Sequence, residues 1–466
     1  MKVYKKEGDS LEIIAYPGET VYKGEYLLVM DKGKDVGLIV QVTDLEYVDV
    51  PGLIEEIIRE GLLRTSVYHG STEEYDSISE LINDLKILKC KIRSAIKDGV
   101  ISNFIDDLPS RASSKVVKLP SDELLSKVFG RIRYPIEVGR DLTGNGVHID
   151  AYDLDGSLTL ITGMKGSGKS HLSKLLAKEI VELGGRFIIF DLNREYTGLG
   201  ELDGVKLLEP GRDIIMSLRY LGKDTILSVM VNILGMPSVS ANVLNDLWDK
   251  IVRMDENVKL ASVSRILDAD VRNQMVKEAI LSRLTMLVGC RFIGYEGRFR
   301  FEDLFKDSSG YIINLRELSS IERRVLVEIF LSKLSRLLER RVIPPLFLFA
   351  EEAHLYIRDT YWEDIVTRMR HFGLFPIFIT NQPDSLDQTI FRQLDNIFIF
   401  RFLNDRDLES LSKVSNVDSE SIKYIVKDLE RGKCLILGKV VKDFPVVVST
   451  KELEFRVLGE TRRIFN

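Results

Sequence analysis

The chain has 466 residues, a formal charge of −6 at pH 7, 45% hydrophobic and 29% charged residues. That balance excludes a disordered chain, and the length exceeds one ordinary core, so two or three domains are expected. No apolar run approaches the ~20 residues of a membrane span, and Met1-Lys-Val-Tyr-Lys-Lys lacks a signal-peptide core. Cys90, Cys290 and Cys434 stand far apart without metal-ligand spacing, which predicts reduced thiols in a cytoplasmic protein with no membrane insertion.

The first fifty residues alternate short β-rich runs with turn signals. Residues 11–16 end at Pro17-Gly18, residues 26–30 end at Lys32-Gly33-Lys34-Asp35, and 36–42 follow, a spacing that predicts a small barrel or sandwich. From about 53 to 97 the pattern reads as helix. Its basic run (Lys86, Lys89, Lys91, Arg93, Lys97) reads as a solvated helix face rather than a phosphate contact. A polar connector surrounds Pro109-Ser-Arg-Ala-Ser-Ser114. These features predict a β-rich domain with a helical extension over 1–105, a connector over 106–133 and a core over 134–466.

In that core, apolar runs recur at 158–162, 187–190, 311–315, 346–349, 377–380 and 397–402, separated by helical segments. The expectation is an α/β fold with a mostly parallel sheet. Residues 223–290 read as consecutive helices, a helical insertion.

The run 158–162 leads into Gly163-Met164-Lys165-Gly166-Ser167-Gly168-Lys169-Ser170, which fits G-x-x-x-x-G-K-[ST] and opens an amphipathic helix. Strand, loop and helix in that order form a phosphate-binding nest. Lys169 is predicted to reach the β- and γ-phosphates of ATP, and Ser170 to ligate Mg2+. The run 346–349 leads into Ala350-Glu351-Glu352-Ala353-His354, where adjacent carboxylates end a buried strand. Glu351 is assigned to the metal and Glu352 to the attacking water. Gln382, just beyond the run 377–380, is positioned to sense the γ-phosphate. Asp191 and Glu195 follow another strand beside the phosphate site. Arg370, in Arg368-Met-Arg370-His371, is the candidate for an arginine supplied to a neighbouring subunit. His148 and His371 are isolated and read as structural or surface residues.

Together these motifs resemble the HerA family of the HerA/FtsK superfamily of ring-forming DNA-pumping ATPases. The similarity includes the N-terminal Tyr22-Lys-Gly-Glu-Tyr26 and Val36-Gly-Leu-Ile-Val40, the phosphate loop, and Asp191 to Tyr196 for a D-x-x-G-E-Y element. It continues with Glu351-Glu-Ala-His354 for E-E-A-H, Asn381-Gln-Pro383 for Q-R-P, and Gly432 to Gly438 for a closing strand. It implies a RecA-like P-loop NTPase core with a helical insertion and a small N-terminal barrel of the HAS type. It further implies a homohexamer that threads double-stranded DNA and pairs with a NurA-type nuclease in DNA-end resection and double-strand-break repair. The acidic net charge is compatible with this, since a channel can gather its basic residues inside a ring. Two departures stand out: Arg194 occupies the family's glycine position, and Pro383 directly follows Gln382. Two other readings stay open, a secretion or conjugation ATPase of the same superfamily and a ring ATPase that scaffolds a defence effector.

Overall fold

The computed structural model describes residues 1–31, 33–48, 84–98, 100–102, 108–356, 362–413 and 417–453. The helix expected from about 53 lies, up to 83, outside the described residues. The chain forms two compact units: residues 1–132, 139–148 and 401–450, and residues 133–138, 149–400 and 451–466.

The strands of the first unit begin with β1 (Lys2–Glu7), β2 (Ser10–Ala15), β3 (Tyr26–Asp31), β4 (Val36–Tyr47), β5 (Lys86–Lys97), β6 (Val100–Ser102) and β7 (Ser114–Leu119). They form a seven-stranded sheet in the order β1-β2-β5-β4-β3-β7, with β6 paired to β5. Neighbours along it run antiparallel. One face closes on Leu11, Ile13, Leu27, Val40, Val42, Leu88 and Cys90, all buried.

Strand β5 corrects the helical reading of 86–97. Cys90 and Ile92 point into the core, while Lys89, Lys91 and Arg93 alternate with them, a period of two that only a strand satisfies. The cations are not a free basic face. Lys89 pairs with Glu46, Lys91 with Asp9 at 2.8 Å, and Arg93 with Asp418 at 3.2 Å. The polar connector also contributes structure, since β7 pairs with β3 from Asp31 to Tyr26.

Next in chain order come β8 (Pro135–Arg140), β9 (Gly146–Asp150), β10 (Thr159–Thr162), β11 (Phe187–Asp191), β12 (Val205–Leu208), β13 (Gly310–Asn314), β14 (Leu346–Glu351), β15 (Leu374–Thr380), β16 (Asn396–Phe400), β17 (Lys433–Gly438) and β18 (Val446–Thr450). In the second unit the order is β12-β13-β11-β14-β15-β10-β16, and every pair is parallel. All residues of β10, β11, β13, β14, β15 and β16 are buried, which is why they read as unbroken apolar runs. Only β12, an edge strand carrying the exposed Lys206, escapes the apolar pattern. Helices Lys223–Ser228, Ser238–Met254, Leu260–Asp270 and Gln274–Val288, with a π-helical turn Val229–Ile233, follow one another without a strand, as the sequence predicts. In the first unit, β17 and β18 pair antiparallel, and β18 pairs antiparallel with β8.

Candidate functional site

Four adjacent strands, β11, β14, β15 and β10, end side by side, and their C-terminal edges carry the motifs. Register aligns them: Thr162 lies beside Thr380, Glu351 beside Ile379, and Phe190 beside Ala350. A parallel sheet therefore delivers residues far apart in sequence to one edge.

The loop after β10 turns through Gly163, Gly166 and Gly168, whose φ values are 152°, 76° and 126°. At Gly163 the requirement is steric as well, because a Cβ there would meet Phe400 Cβ at 2.5 Å and Ser167 Oγ at 2.9 Å. Helix Lys169–Glu182 starts immediately after. Lys169 is buried, and its ammonium donates to the carbonyls of Gly163 at 2.9 Å and Met164 at 3.1 Å. Burial lowers its pKa, against the opposing influence of Glu352, Glu195 and Glu351. Met164, Lys165 and Gly166 form the exposed crest of the loop, and Ser170 is half-buried.

Asp191, wholly buried at the end of β11, organises its own loop. Its carboxylate accepts from the backbone N–H of Asn193 at 3.2 Å, Glu195 at 3.1 Å and Tyr196 at 3.0 Å. Arg194 takes φ 60°, the left-handed conformation that glycine favours, so the loop turns there despite its side chain. The Arg194 guanidinium reaches Glu317 at 3.0 Å.

Glu351 closes β14, accepts from Leu192 N–H at 2.9 Å and lies close enough to Asp191 for the two carboxyls to act on one another. Burial, then the neighbouring Asp191 and Glu195, hold its carboxyl well above the usual range. Glu352 follows in the left-handed region at φ 47°. This reversal is how adjacent glutamates serve different places: Glu351 faces Asp191, and Glu352 lies near Lys169 and His354.

His354 Nδ1 lies 3.0 Å from Thr380 Oγ1 and 3.5 Å from Glu352 Oε2. Thr380 Oγ1 also accepts the backbone N–H of Gln382 at 3.0 Å. The Gln382 side chain is exposed, and Pro383 opens a short 3-10 turn, Pro383–Ser385. Arg370 lies instead near the starts of the strands. It donates to Asp395 at 2.5 Å, to Gln393 at 2.9 Å and to the Val366 carbonyl at 3.1 Å, and Asp395 accepts from Leu158 N–H before β10.

Three groups at this edge carry no assignment from sequence. Lys174, on the helix that follows the loop, is buried with its ammonium 5.7 Å from the centre of the Tyr196 ring. Burial lowers its pKa, while the nearby carboxyls of Glu195, Glu351 and Asp191 oppose that shift. Ser173 and Tyr196 share a 2.5 Å hydrogen bond. Thr380 is the third. A lysine interrupting the apolar Leu172, Leu175 and Leu176 stripe was the available signal for Lys174.

The site suits a polyanion with a divalent cation. Ser167 Oγ, Glu352 Oε2 and Asn381 Oδ1 are buried at these strand ends without a hydrogen-bond partner, and such atoms call for a polar ligand. Asp191 and Glu351 are neighbouring buried carboxyls whose mutual repulsion a divalent cation would relieve. Among the described residues no cluster of three or more His, Cys, Asp and Glu forms a metal centre.

Residues 136–334 match the family model described as Helicase HerA, central domain. The DNA double-strand break repair helicase HerA of Sulfolobus acidocaldarius is 25% identical over 450 residues, covering 85% of this chain and 87% of that protein. A probable helicase of Methanocaldococcus jannaschii is 23% identical, covering 97% of this chain and 93% of that one. Among solved structures, VirB4 of Thermoanaerobacter pseudethanolicus superposes with a TM-score of 0.57 at 14% identity, covering 70% of this chain and 98% of that chain, which shows a shared fold. No helix among the described residues is long and apolar enough to cross a membrane.

Proposed function

We propose that this chain, a HerA-family protein through its central domain, is an ATP hydrolase that drives a homohexameric ring along double-stranded DNA. The observation that carries this reading is the convergence of four strand ends on one edge, with the loop lysine, paired carboxylates and a glutamine loop side by side.

In this reading the backbone of Gly163, Met164, Lys165, Gly166, Ser167 and Gly168 cradles the phosphates of ATP, and Lys169 leaves the loop carbonyls for the β- and γ-oxygens. Ser170 and Glu351 hold Mg2+, which neutralises charge developing on the transferred phosphoryl group. Asp191 fixes the loop that carries Glu195 beside the acid cluster. Glu352 orients the attacking water, and Gln382 reads the γ-phosphate. Arg370 is the arginine offered to a neighbouring subunit, at the expense of three hydrogen bonds in its own chain; the exposed Arg368, Arg392 and Arg401 are its alternates. The first unit's sheet corresponds to the small barrel of this family, and the partner is a NurA-type nuclease in end resection.

The test compares ATP binding and turnover. Lys169→Ala should weaken nucleotide binding. Glu352→Gln should bind ATP normally yet turn over ~100-fold or more slowly, having lost the carboxylate that positions water. Linear duplex should stimulate the unaltered protein. Normal turnover by the Glu352 variant would overturn the assignment of the two glutamates.

A further inference from the structure

His354 stands between two oxygens. Its Nδ1 is 3.0 Å from Thr380 Oγ1, within hydrogen-bond distance, and 3.5 Å from Glu352 Oε2, beyond it. That Glu352 oxygen is buried and has no hydrogen bond of its own. Thr380 Oγ1 in turn receives the backbone N–H of Gln382 at 3.0 Å, and Thr162 Oγ1 donates to the Thr380 carbonyl at 3.0 Å. A continuous polar path therefore runs from the glutamate after β14, through one imidazole nitrogen, to the loop after β15.

We propose that His354 is a positioning residue whose Nδ1–H exchanges between Thr380 Oγ1 and Glu352 Oε2, and so couples the water-orienting carboxylate to the Asn381-Gln382-Pro383 loop. This rests on the ATP-hydrolase reading above. One N–H cannot serve both acceptors at full strength, because hydrogen bonds weaken steeply away from linearity and short distance. While His354 bonds to Thr380, Glu352 is free to take a water, and Thr380 Oγ1 holds the Gln382 backbone. When His354 turns to Glu352, the carboxylate is withdrawn from the water and Thr380 Oγ1, which anchors the Gln382 backbone, loses its imidazole partner. The path is short and partly buried, with Thr380 and the Glu352 Oε2 atom out of contact with water, so a bond gained or lost there counts for more than at the surface. Because Glu352 sits at φ 47°, its backbone is fixed in a sparsely populated region, and adjustment falls to its side-chain torsions.

The experiment measures ATP turnover and nucleotide affinity of the full chain. His354→Ala should lower kcat ~10-fold or more while KM for ATP moves less than about twofold, the signature of a lost alignment rather than lost binding. His354→Asn keeps an N–H donor near the Nδ1 position and should recover most of that loss. Thr380→Val should resemble His354→Ala, and Thr380→Ser should be close to the unaltered protein. The double variant His354→Ala/Thr380→Val should be no slower than the slower single variant, since both break one path. Multiplicative losses, no rescue by Asn, or an unchanged kcat in His354→Ala would overturn the proposal while leaving the hydrolase reading intact. Failure of the unaltered protein to bind a fluorescent ATP analogue would instead remove both. Should His354→Ala not fold, the pair Thr380→Val and Thr380→Ser carries the same decision.

Discussion

At the scale of single residues, Arg194 shows how a departure from a motif can leave its geometry in place. The position needs a left-handed backbone, and Arg194 takes it at φ 60°. That conformation costs a non-glycine residue roughly 1–2 kcal/mol, and Arg194 Nε is buried without a partner. Its half-exposed contacts with Glu317 and Glu209 return only ~0–1 kcal/mol. Arg194→Gly should therefore raise the unfolding free energy by about 1 kcal/mol and leave ATP turnover within about twofold. Urea denaturation and a steady-state assay would check both, and a loss of stability would mean that the Glu317 contact outweighs the strain. The phosphate loop was legible because its functional atoms are covalent neighbours. The acid pair was legible as well, but the left-handed reversal at Glu352 that turns the two side chains apart was not. Lys174, Thr380 and the position of His354 between two oxygens depend on contacts between strands far apart in sequence, which no local pattern reports.

Elements follow the same logic. Strands buried on both faces were readable as apolar runs, and their observed limits differ from the runs by a few residues at most. Strand β5 was misread because its cations drew attention away from a strict alternation with Cys90 and Ile92. The hairpin β8–β9 carried no apolar run and took its order from a buried aspartate. Asp150 accepts from the backbone N–H of Arg133 at 2.8 Å, Tyr134 at 3.1 Å and Tyr152 at 3.0 Å, closing the entry to β8 and capping helix Ala151–Leu154. Burial pushes its pKa up, but the three N–H donors and Arg133 outweigh that, and the carboxyl sits below its usual range. A lowered folded pKa means that the stabilisation is complete above the unfolded value near ~4 and is lost as pH falls through the folded one. The unaltered protein should accordingly exceed Asp150→Asn in urea midpoint at pH 7, and the gap should close as pH drops below ~4. A gap that stayed constant with pH would show that the carboxylate charge contributes nothing.

On the scale of the whole molecule, the question is how an acidic chain of net charge −6 would hold a polyanion. Three cations of β5, Lys89, Lys91 and Arg93, are poor sources of the attraction, because each is matched by a carboxylate of the same unit. In the proposed ring a few other lysines and arginines, repeated in every subunit around one axis, would make a strongly positive channel from a small local charge. Contacts of that kind go to phosphates and carry little sequence information. Each phosphate neutralised releases counterions, so log affinity should fall linearly with log salt by about 0.9 per contact. Labelled duplexes of unrelated sequence, titrated from low to physiological salt, should bind alike and weaken together. Lys89→Gln and Lys91→Gln should leave that slope unchanged, since neither cation is available to DNA. A shallower slope in those variants would move the interface onto β5, and binding that ignored salt or preferred one sequence would rule out the channel.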